Sequence, residues 1–173
     1  PQLEQGDVAA VARAAAAVRS CLDDSRAWLD SLEAVDLLAA YGIPVLPTHL
    51  AADAGEAAGF ARTLAAAGTA PDGFAIKIQS RDIVHKSDVG GVVLDLADPD
   101  AVAAATTAML ARVAARQPAA RIDGVTVQPM APVDRGGQEV IVGVVEDVLF
   151  GPVILFGHGG TAVELIDDRA LAL

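Results

Sequence analysis

The two lysines of the chain lie close together in sequence and are the residues best suited to hold an anion. Of the 12 basic residues, only Lys77 and Lys86 are lysine, and both belong to one segment in which an apolar strand leads to a glycine pair. A lysine ammonium is a compact charge that suits a bound phosphate. Because side chains alternate along a strand, Lys77 could equally lie on the solvent face of a half-exposed strand.

The loop after this strand combines a histidine with glycines. His85 precedes Lys86 and Ser87, and the loop ends at Gly90 and Gly91. Glycines let a backbone approach an oxygen-rich ligand and expose N–H groups to it, so the loop predicts a phosphate cradle, although such a pair can also simply reverse the chain. Imidazole can accept a phosphoryl group as a nucleophile. His85 is therefore either a covalent phosphoryl carrier or a polar loop residue.

A second glycine-rich stretch, residues 151–160, lies further along the chain. It holds four glycines around His158 and is another place where backbone could approach a ligand. Glu164, just beyond it, could ligate Mg²⁺, accept a hydrogen bond from a ribose, or face water, and spacing alone favours the last role. We interpret His49 as structural or surface and Trp28 as a packing anchor.

Composition excludes several classes of protein. A formal charge of -11 leaves no basic stripe for a nucleic-acid backbone, so nucleic acid is not an expected partner. The single cysteine, Cys21, allows neither an internal disulfide nor a cysteine-based metal site and favours a cytoplasmic setting. Charged residues, glycines and prolines interrupt the apolar runs, and the first residues lack the features of a signal peptide. The sequence predicts a soluble, untargeted protein without a membrane span.

Hydrophobic periodicity predicts the elements that position these residues. A capping box at Asp30 and the face formed by Val102, Thr106, Met109 and Val113 support two of the helices. Regular strand–helix–strand alternation is missing, which favours an α+β fold with mixed, mainly antiparallel sheets and helices on one face. The predicted helices are about 7–22, 31–41, 53–67 and 98–116, an extended segment is expected over 43–50, and the predicted strands are 74–80, 91–96, 124–130, 138–146 and 151–156.

Three segments make the chain similar to a known family. They are LEAVDLLAAYGIPV, IKIQSRDIVHKSDVGGV and GQEVIVGVVEDVLFGPVILFGHGGTAVELI. Together they resemble the ATP-grasp domain of the ADP-forming acyl-CoA synthetases, the acetate–CoA ligases related to the succinyl-CoA synthetase β subunit. The resemblance implies an N-terminal helical connector over 1–27, an ATP-grasp lid subdomain over 28–127, and the start of a second, incomplete subdomain over 128–173.

The resemblance also implies roles for individual residues. Lys77 matches the strand lysine that contacts the nucleotide phosphates. His85 matches a histidine that is transiently phosphorylated and passes the phosphoryl group between an acyl phosphate and ADP. Gly90 and Gly91 match the glycine loop that closes over the phosphates. The other implied nucleotide-binding positions are Gln128 and Met130 at the adenine pocket, Glu139 on the next strand, and Lys86, Ser87, Gly159, Gly160 and Glu164.

The implied cofactors are ATP or ADP with Mg²⁺, while CoA belongs to other domains. In this family acidic residues further downstream complete the Mg²⁺ site, so we expect no metal ligands in this chain, which alone would be catalytically incomplete. The implied partners are the CoA-binding and ligase domains or a separate subunit of the same enzyme. The ending DRALAL also resembles fusion forms with an N-acetyltransferase domain, and an oligomer is expected.

The implied function is the nucleotide-binding and phosphoryl-relay part of an ADP-forming acyl-CoA synthetase, which turns acyl-CoA, ADP and phosphate into carboxylate, CoA and ATP through a phosphohistidine. An alternative from another class is a non-catalytic, ligand-sensing region of a protein lysine acetyltransferase. An ATP-grasp ligase that joins a carboxylate to an amine would share the nucleotide pocket, but it gives no reason for the loop of His85, Lys86 and Ser87.

Overall fold

The structure, a computed structural model, describes residues 8–131, 139–159 and 169–172, the last range through its backbone. Contacts between residues divide the chain into two units, Pro1–Ala131 and Pro132–Leu173. Each unit has its own sheet.

The first unit combines helices with a four-stranded sheet. Its described elements are α1 (Val8–Asp23), α2 (Ser31–Ala40), β1 (His49–Ala51), α3 (Ala54–Ala66), β2 (Phe74–Gln79), β3 (Val92–Leu96), α4 (Pro99–Arg116) and β4 (Gly124–Pro129). The strands lie in the order β1-β4-β2-β3, and each of these pairings is antiparallel. The predicted antiparallel α+β arrangement is confirmed, although the extended segment expected over 43–50 becomes a strand only at His49.

Aspartates begin three of these helices. The side chain of Asp30 accepts hydrogen bonds from the N–H groups of Leu32 and Glu33, and the Glu33 carboxylate accepts one from the N–H of Asp30, which forms the predicted capping box. Asp53 and Asp98 cap α3 and α4 with their side chains. Because these hydrogen bonds are local in sequence, the helix starts lie close to their predicted positions.

Helices α3 and α4 pack together on one face of this sheet. The side chains that α4 buries completely are those predicted from their spacing, Val102, Thr106, Met109 and Val113. The sheet contributes to the same core the side chains of Ile76, Ile78, Val125 and Val127. The core therefore fixes which face of β2 and β4 points away from these two helices.

Trp28 is not the packing anchor that the sequence suggested, because its side chain is 74% exposed. The segment between α1 and α2 is held instead by Arg26, which donates two hydrogen bonds to Glu33 at 2.8 and 2.9 Å, and by the buried thiol of Cys21, which donates to the carbonyl of Trp28 at 3.3 Å. An aromatic residue in a connector lacks the periodic neighbours from which burial can be inferred. His49 has the structural role expected of it, since its ring stacks on Phe60 with centroids 4.8 Å apart.

The second unit contains a three-stranded sheet in its described part. Its strands are β5 (Val140–Asp147), β6 (Gly151–His158) and β7 (Arg169–Ala172), in the order β5-β6-β7 with antiparallel pairings. The first two strands are confirmed predictions, whereas β7 is too short for its periodicity to be visible. Across the described residues of both units, none of the helices has the length and apolar character that crossing a bilayer requires.

Candidate functional site

Lys77 lies in the middle of β2, on the face that points away from α3 and α4. Its neighbours Ile76 and Ile78 are fully buried on the helix side, so alternation turns Lys77 to the opposite side, where it is half-buried. In the sheet it lies opposite Val92 of β3 and Thr126 of β4. The lysine is therefore in a central strand with paired strands on both sides, and not at an edge.

The positive charge of Lys86 acts on the ammonium group of Lys77. Partial burial lowers the pKa of Lys77, and the positive charge of Lys86 lowers it further. Two like charges in a partly desolvated place repel each other, and an anion between them would relieve that repulsion. The strand and the loop thus bring together the two lysines that the sequence singled out, in an arrangement suited to phosphate.

Gln128 and Met130, the two residues expected at the adenine pocket, lie on the same side of the sheet as Lys77. Gln128 is half-buried and pairs with Ala75, two residues before Lys77 and about 7 Å away along the strand. The N–H of Met130 donates to the carbonyl of Gly73 at 2.9 Å, which fixes Met130 beside the start of β2. From one end of β2 to the other, the order is therefore Gln128 and Met130, then Lys77, then the loop with Lys86.

The loop after β2 is a series of turns with His85 exposed at its surface, Ser87 also exposed, and Lys86 half-buried. The N–H of Gly90 donates to the carbonyl of Ser87 at 3.0 Å, and the N–H of Gly91 donates to the carbonyl of Lys86 at 2.7 Å. The two glycine N–H groups that could have faced a ligand are thus used inside the loop. The exposed side chains of the loop include the imidazole of His85 and the hydroxyl of Ser87.

Packing explains why residues 90 and 91 are glycine. A Cβ on Gly91 would lie 2.5 Å from Cγ2 of Ile78, a core side chain, so only glycine lets the loop come this close to β2. Gly90 has φ +70°, and a Cβ there would lie 2.6 Å from Nε of Arg112. Gly91 is therefore required by the close approach of the loop to β2, and Gly90 by its backbone conformation.

Arg112 of α4 is a residue of this site that the sequence did not reveal. Its Nη2 and Nε donate to the carbonyl of Gly90 at 2.5 and 3.2 Å. Arg116, one turn later, donates to the carbonyl of Asp88 at 3.4 Å. In sequence Arg112 is an ordinary helical arginine, and no local signal marks its contact with a loop 22 residues earlier.

The remaining predicted residues belong to the second unit. Glu139 is exposed, and its carbonyl accepts a hydrogen bond from the N–H of Gly159 at 2.8 Å. A Cβ on Gly159 would lie 2.8 Å from the carbonyl carbon of Glu139, so the glycine permits this close contact. Gly160 and Glu164 lie outside the described residues. Over the described ranges, no group of three or more His, Cys, Asp or Glu side chains could hold a metal ion.

Comparison with known proteins identifies the same family that the sequence motifs resemble. A sequence profile of the ATP-grasp domain matches residues 20–173. Among curated proteins, the chain is 44% identical over 138 residues to "Acetate--CoA ligase [ADP-forming] I" of Archaeoglobus fulgidus, which covers 79% of this chain and 18% of that protein. The chain thus spans about a fifth of the length of this relative.

Two solved structures of acetyl-coenzyme A synthetase 1 from Ca. Korarchaeum cryptofilum are also similar. One, in complex with coenzyme A, Ca-AMPCP and HgCl+, has a TM-score of 0.78 at 35% identity and covers 90% of this chain and 64% of that one. The other, with coenzyme A and Mg-AMPPCP and its phosphohistidine segment pointing towards the nucleotide-binding site, has a TM-score of 0.70 at 31% identity and covers 92% and 63%.

Proposed function

Since this chain belongs to the ATP-grasp family, we propose that it is the nucleotide-binding and phosphoryl-relay part of an ADP-forming acyl-CoA synthetase. The observation that carries this proposal is the half-buried Lys77, whose pKa is lowered by burial and by the charge of Lys86, together with the exposed imidazole of His85 next to Lys86 in the loop. Relatives that are acetate–CoA ligases and bind nucleotide analogues support it.

In this proposal each group of residues around Lys77 has one role. Gln128 and Met130 contact the base, and Lys77 and Lys86 bind the phosphates. Ser87, Gly90 and Gly91 shape the loop, so that His85 reaches the terminal phosphoryl group. Glu139, Gly159, Gly160 and Glu164 remain proposed nucleotide-binding positions of the second unit.

The proposed reaction has three group transfers. Phosphate attacks the thioester of acyl-CoA in another domain, the C–S bond breaks, and acyl phosphate and CoA form. The imidazole of His85 attacks the phosphorus of the acyl phosphate, the P–O bond breaks, and the carboxylate leaves. An oxygen of ADP then attacks the phosphohistidine, the N–P bond breaks, and ATP is released with a neutral imidazole.

Lys77 and Lys86 fit a polyphosphate, because each places positive charge where a nucleotide would carry negative charge. Mg²⁺ bound with that nucleotide would neutralise further phosphate charge. We propose that its protein ligands lie outside the described residues, and that CoA binds in the CoA-binding and ligase domains or subunit of the whole enzyme. The division into a connector over 1–27, a lid subdomain over 28–127 and a second subdomain from 128 is part of the same proposal.

A cytoplasmic location is also proposed, and the free thiol of Cys21 supports it. Oligomer formation and fusion to an acetyltransferase domain are proposed on the family resemblance alone. The alternative function, a ligand-sensing region of a lysine acetyltransferase, has no support from the relatives named above, which are a ligase and a synthetase.

The experiment uses the complete enzyme with Mg²⁺ and ATP labelled at the γ-phosphate. We expect acid-labile label on the protein, and we expect His85→Ala to lose it while its circular dichroism stays unchanged. His158→Ala removes a histidine from the second unit and serves as the matched control, which should keep the label. Equal labelling of His85→Ala and the unaltered enzyme would exclude the proposed relay.

A further inference from the structure

Lys77 and Lys86 are the two side chains of this chain that an acyl donor can convert into a stable amide. The other ten of the 12 basic residues are arginine. A guanidinium stays protonated in proteins, whereas the amine of a lysine can lose its proton and attack an acyl carbon. N-acylation of side chains in this chain therefore falls on β2 or on the loop that follows it.

Neither lysine is engaged by the residues around it. Among the described residues, neither ammonium group has an ion pair or a hydrogen bond. Two arginines that contact the same loop are engaged, since Arg112 donates to the carbonyl of Gly90 and Nε of Arg121 donates to Asp123 at 2.9 Å. An amine without such a partner can meet a ligand without first breaking a contact within the protein.

The surroundings of Lys77 favour its neutral, nucleophilic form. Partial burial and the charge of Lys86 lower its pKa, so more of its amine is unprotonated than in an exposed lysine. The residues opposite it in the sheet, Val92 and Thr126, are uncharged, and so is Ala75, two residues earlier on the same face. At these positions no carboxylate holds the proton on Lys77 or repels an incoming anion.

An acyl phosphate fits the two lysines in one orientation. Its phosphate group is an anion, like the phosphates of a nucleotide, and Lys86 is the cation that would bind it. Because the charge of Lys86 acts on Lys77, a phosphate group on Lys86 brings the adjoining acyl carbon towards Nζ of Lys77. The same cation stabilises the phosphate that leaves when the acyl group is transferred.

We propose that an acyl phosphate acylates Nζ of Lys77 when nucleotide is absent, and that this modification prevents ADP from binding. The neutral amine attacks the carbonyl carbon, the C–O bond to the phosphate breaks, phosphate leaves with the electrons of that bond, and the amine proton passes to solvent. An amide then replaces one of the two ammonium groups. The inference rests on the proposed function, which supplies the acyl phosphate, and it adds a regulation of the same site by its own intermediate.

Mass spectrometry locates the modification. The complete enzyme is incubated with acetyl phosphate, with and without MgADP, and its peptides are sequenced. We expect more acetylation at Lys77 than at Lys86, and we expect MgADP to suppress it. Acetic anhydride, a donor without a phosphate group, is the control reagent and should give a smaller excess at Lys77. No acetyl group at Lys77, the same yield with MgADP, or an equal excess with the anhydride would overturn the proposal.

A charge variant with a matched control tests the role of Lys86. Lys86→Gln should slow acetylation of Lys77 by acetyl phosphate about tenfold, since it removes the cation that binds the phosphate group. Arg62→Gln makes the same change of net charge at an exposed position of α3, and it should leave the rate unchanged. Equal rates in the two variants would contradict the assignment.

The effect on nucleotide is measured after the acetyl phosphate has been removed. The affinity of the treated enzyme for ADP should be about tenfold weaker than before treatment, because a charged donor is lost. Lys77→Arg keeps a charge that cannot be acylated, so treatment should not change its affinity, and an equal loss there would contradict the proposal. Acetylation should persist in His85→Ala. Acetylated Lys77 in an enzyme whose His85 takes up no label would refute the relay alone, whereas labelled His85 without acetylation of Lys77 would refute this inference alone.

Discussion

The guanidinium of Arg112 donates two hydrogen bonds to the carbonyl oxygen of Gly90 and so ties the end of the His85 loop to α4. Arg112 directly precedes Val113, whose side chain is completely buried in the core. The backbone that carries Arg112 is therefore itself held by packing. The fixed end of the loop and its exposed histidine are five residues apart. We infer that Arg112 is a positioning residue, which holds the loop without contacting the reacting atoms.

Replacing Arg112 tests this positioning role. Arg112→Gln should lower the rate of His85 phosphorylation about tenfold, because a charged hydrogen bond of about 1.5–3 kcal/mol is lost, while the KM for ATP changes little. Arg112→Lys should restore part of the rate, because it keeps the charge but not the forked geometry. Arg116→Gln, whose contact with Asp88 is 3.4 Å long, is the matched control. The same rate for Arg112→Gln and Arg116→Gln would contradict the role.

Gly91→Ala tests the packing reason for the second glycine of the loop. The new methyl group would meet Cγ2 of Ile78 at 2.5 Å, so we expect a loss of about 1–3 kcal/mol in the free energy of unfolding. Gly59→Ala in α3 adds a methyl group where nothing lies within 4 Å, and it should stabilise the protein by about 0.5–1 kcal/mol. Urea denaturation measures both. An unfolding free energy of Gly91→Ala at or above that of the unaltered chain would refute the packing argument.

We expect the segment that carries Trp28 to contribute less to the free energy of unfolding at acid pH. Hydrogen bonds from Arg26, and then from the backbone N–H of Asp30, lower the pKa of Glu33 from 4.5 to about 2. A carboxylate with a lowered pKa in the folded state contributes stability that is complete above about pH 4.5 and is lost as the pH falls towards 2. The free energy of unfolding should therefore fall less between pH 5 and pH 3 in Glu33→Gln than in the unaltered chain.

The control for Glu33 is Asp36→Asn, which removes an exposed carboxylate from the same helix. Chemical denaturation at a series of pH values compares the three proteins. Parallel pH profiles for Glu33→Gln and the unaltered chain would show that the ion pair with Arg26 does not set the acid response.

Nucleotide binding should change the protonation of Lys77. Burial and the charge of Lys86 lower its pKa in the free protein, and a phosphate beside it would raise that pKa again. Binding of ADP at alkaline pH should therefore take up protons, which calorimetry in buffers of different ionisation enthalpy measures. Lys77→Gln should abolish this uptake and weaken ADP binding about tenfold or more, whereas Arg62→Gln should alter neither. Proton release, or uptake that persists in Lys77→Gln, would contradict the assignment.

Much of the first unit could be predicted from sequence because its signals are local. The capping box at Asp30, the helix starts near Asp53 and Asp98 and the buried stripe from Val102 to Val113 depend on residues close together in sequence, and the structure reproduces them. The strand lysine was recognised because lysine is rare in this chain. Trp28 was misjudged, since its exposure depends on a connector that has no periodic pattern.

The sequence singled out Gly90 and Gly91 of the loop, and the structure gives a physical reason for glycine at these positions that differs from the expected one. The sequence suggested free N–H groups for a ligand, whereas Gly90 and Gly91 use theirs inside the loop; Gly90 is glycine because its φ is +70°, and Gly91 because it lies against Ile78. These contacts join residues from different elements. Contacts of this kind follow from tertiary packing, and the spacing of residues along the chain does not reveal them.

The central claim is that His85 carries the phosphoryl group, and locating that group tests it most directly. The complete enzyme, quenched after a single turnover with Mg²⁺ and ATP, is digested under alkaline conditions that preserve N–P bonds, and its peptides are sequenced by mass spectrometry. We predict a phosphoryl group on the imidazole of His85. A phosphoryl group confined to another residue, with the peptide of His85 recovered unmodified, would contradict the account.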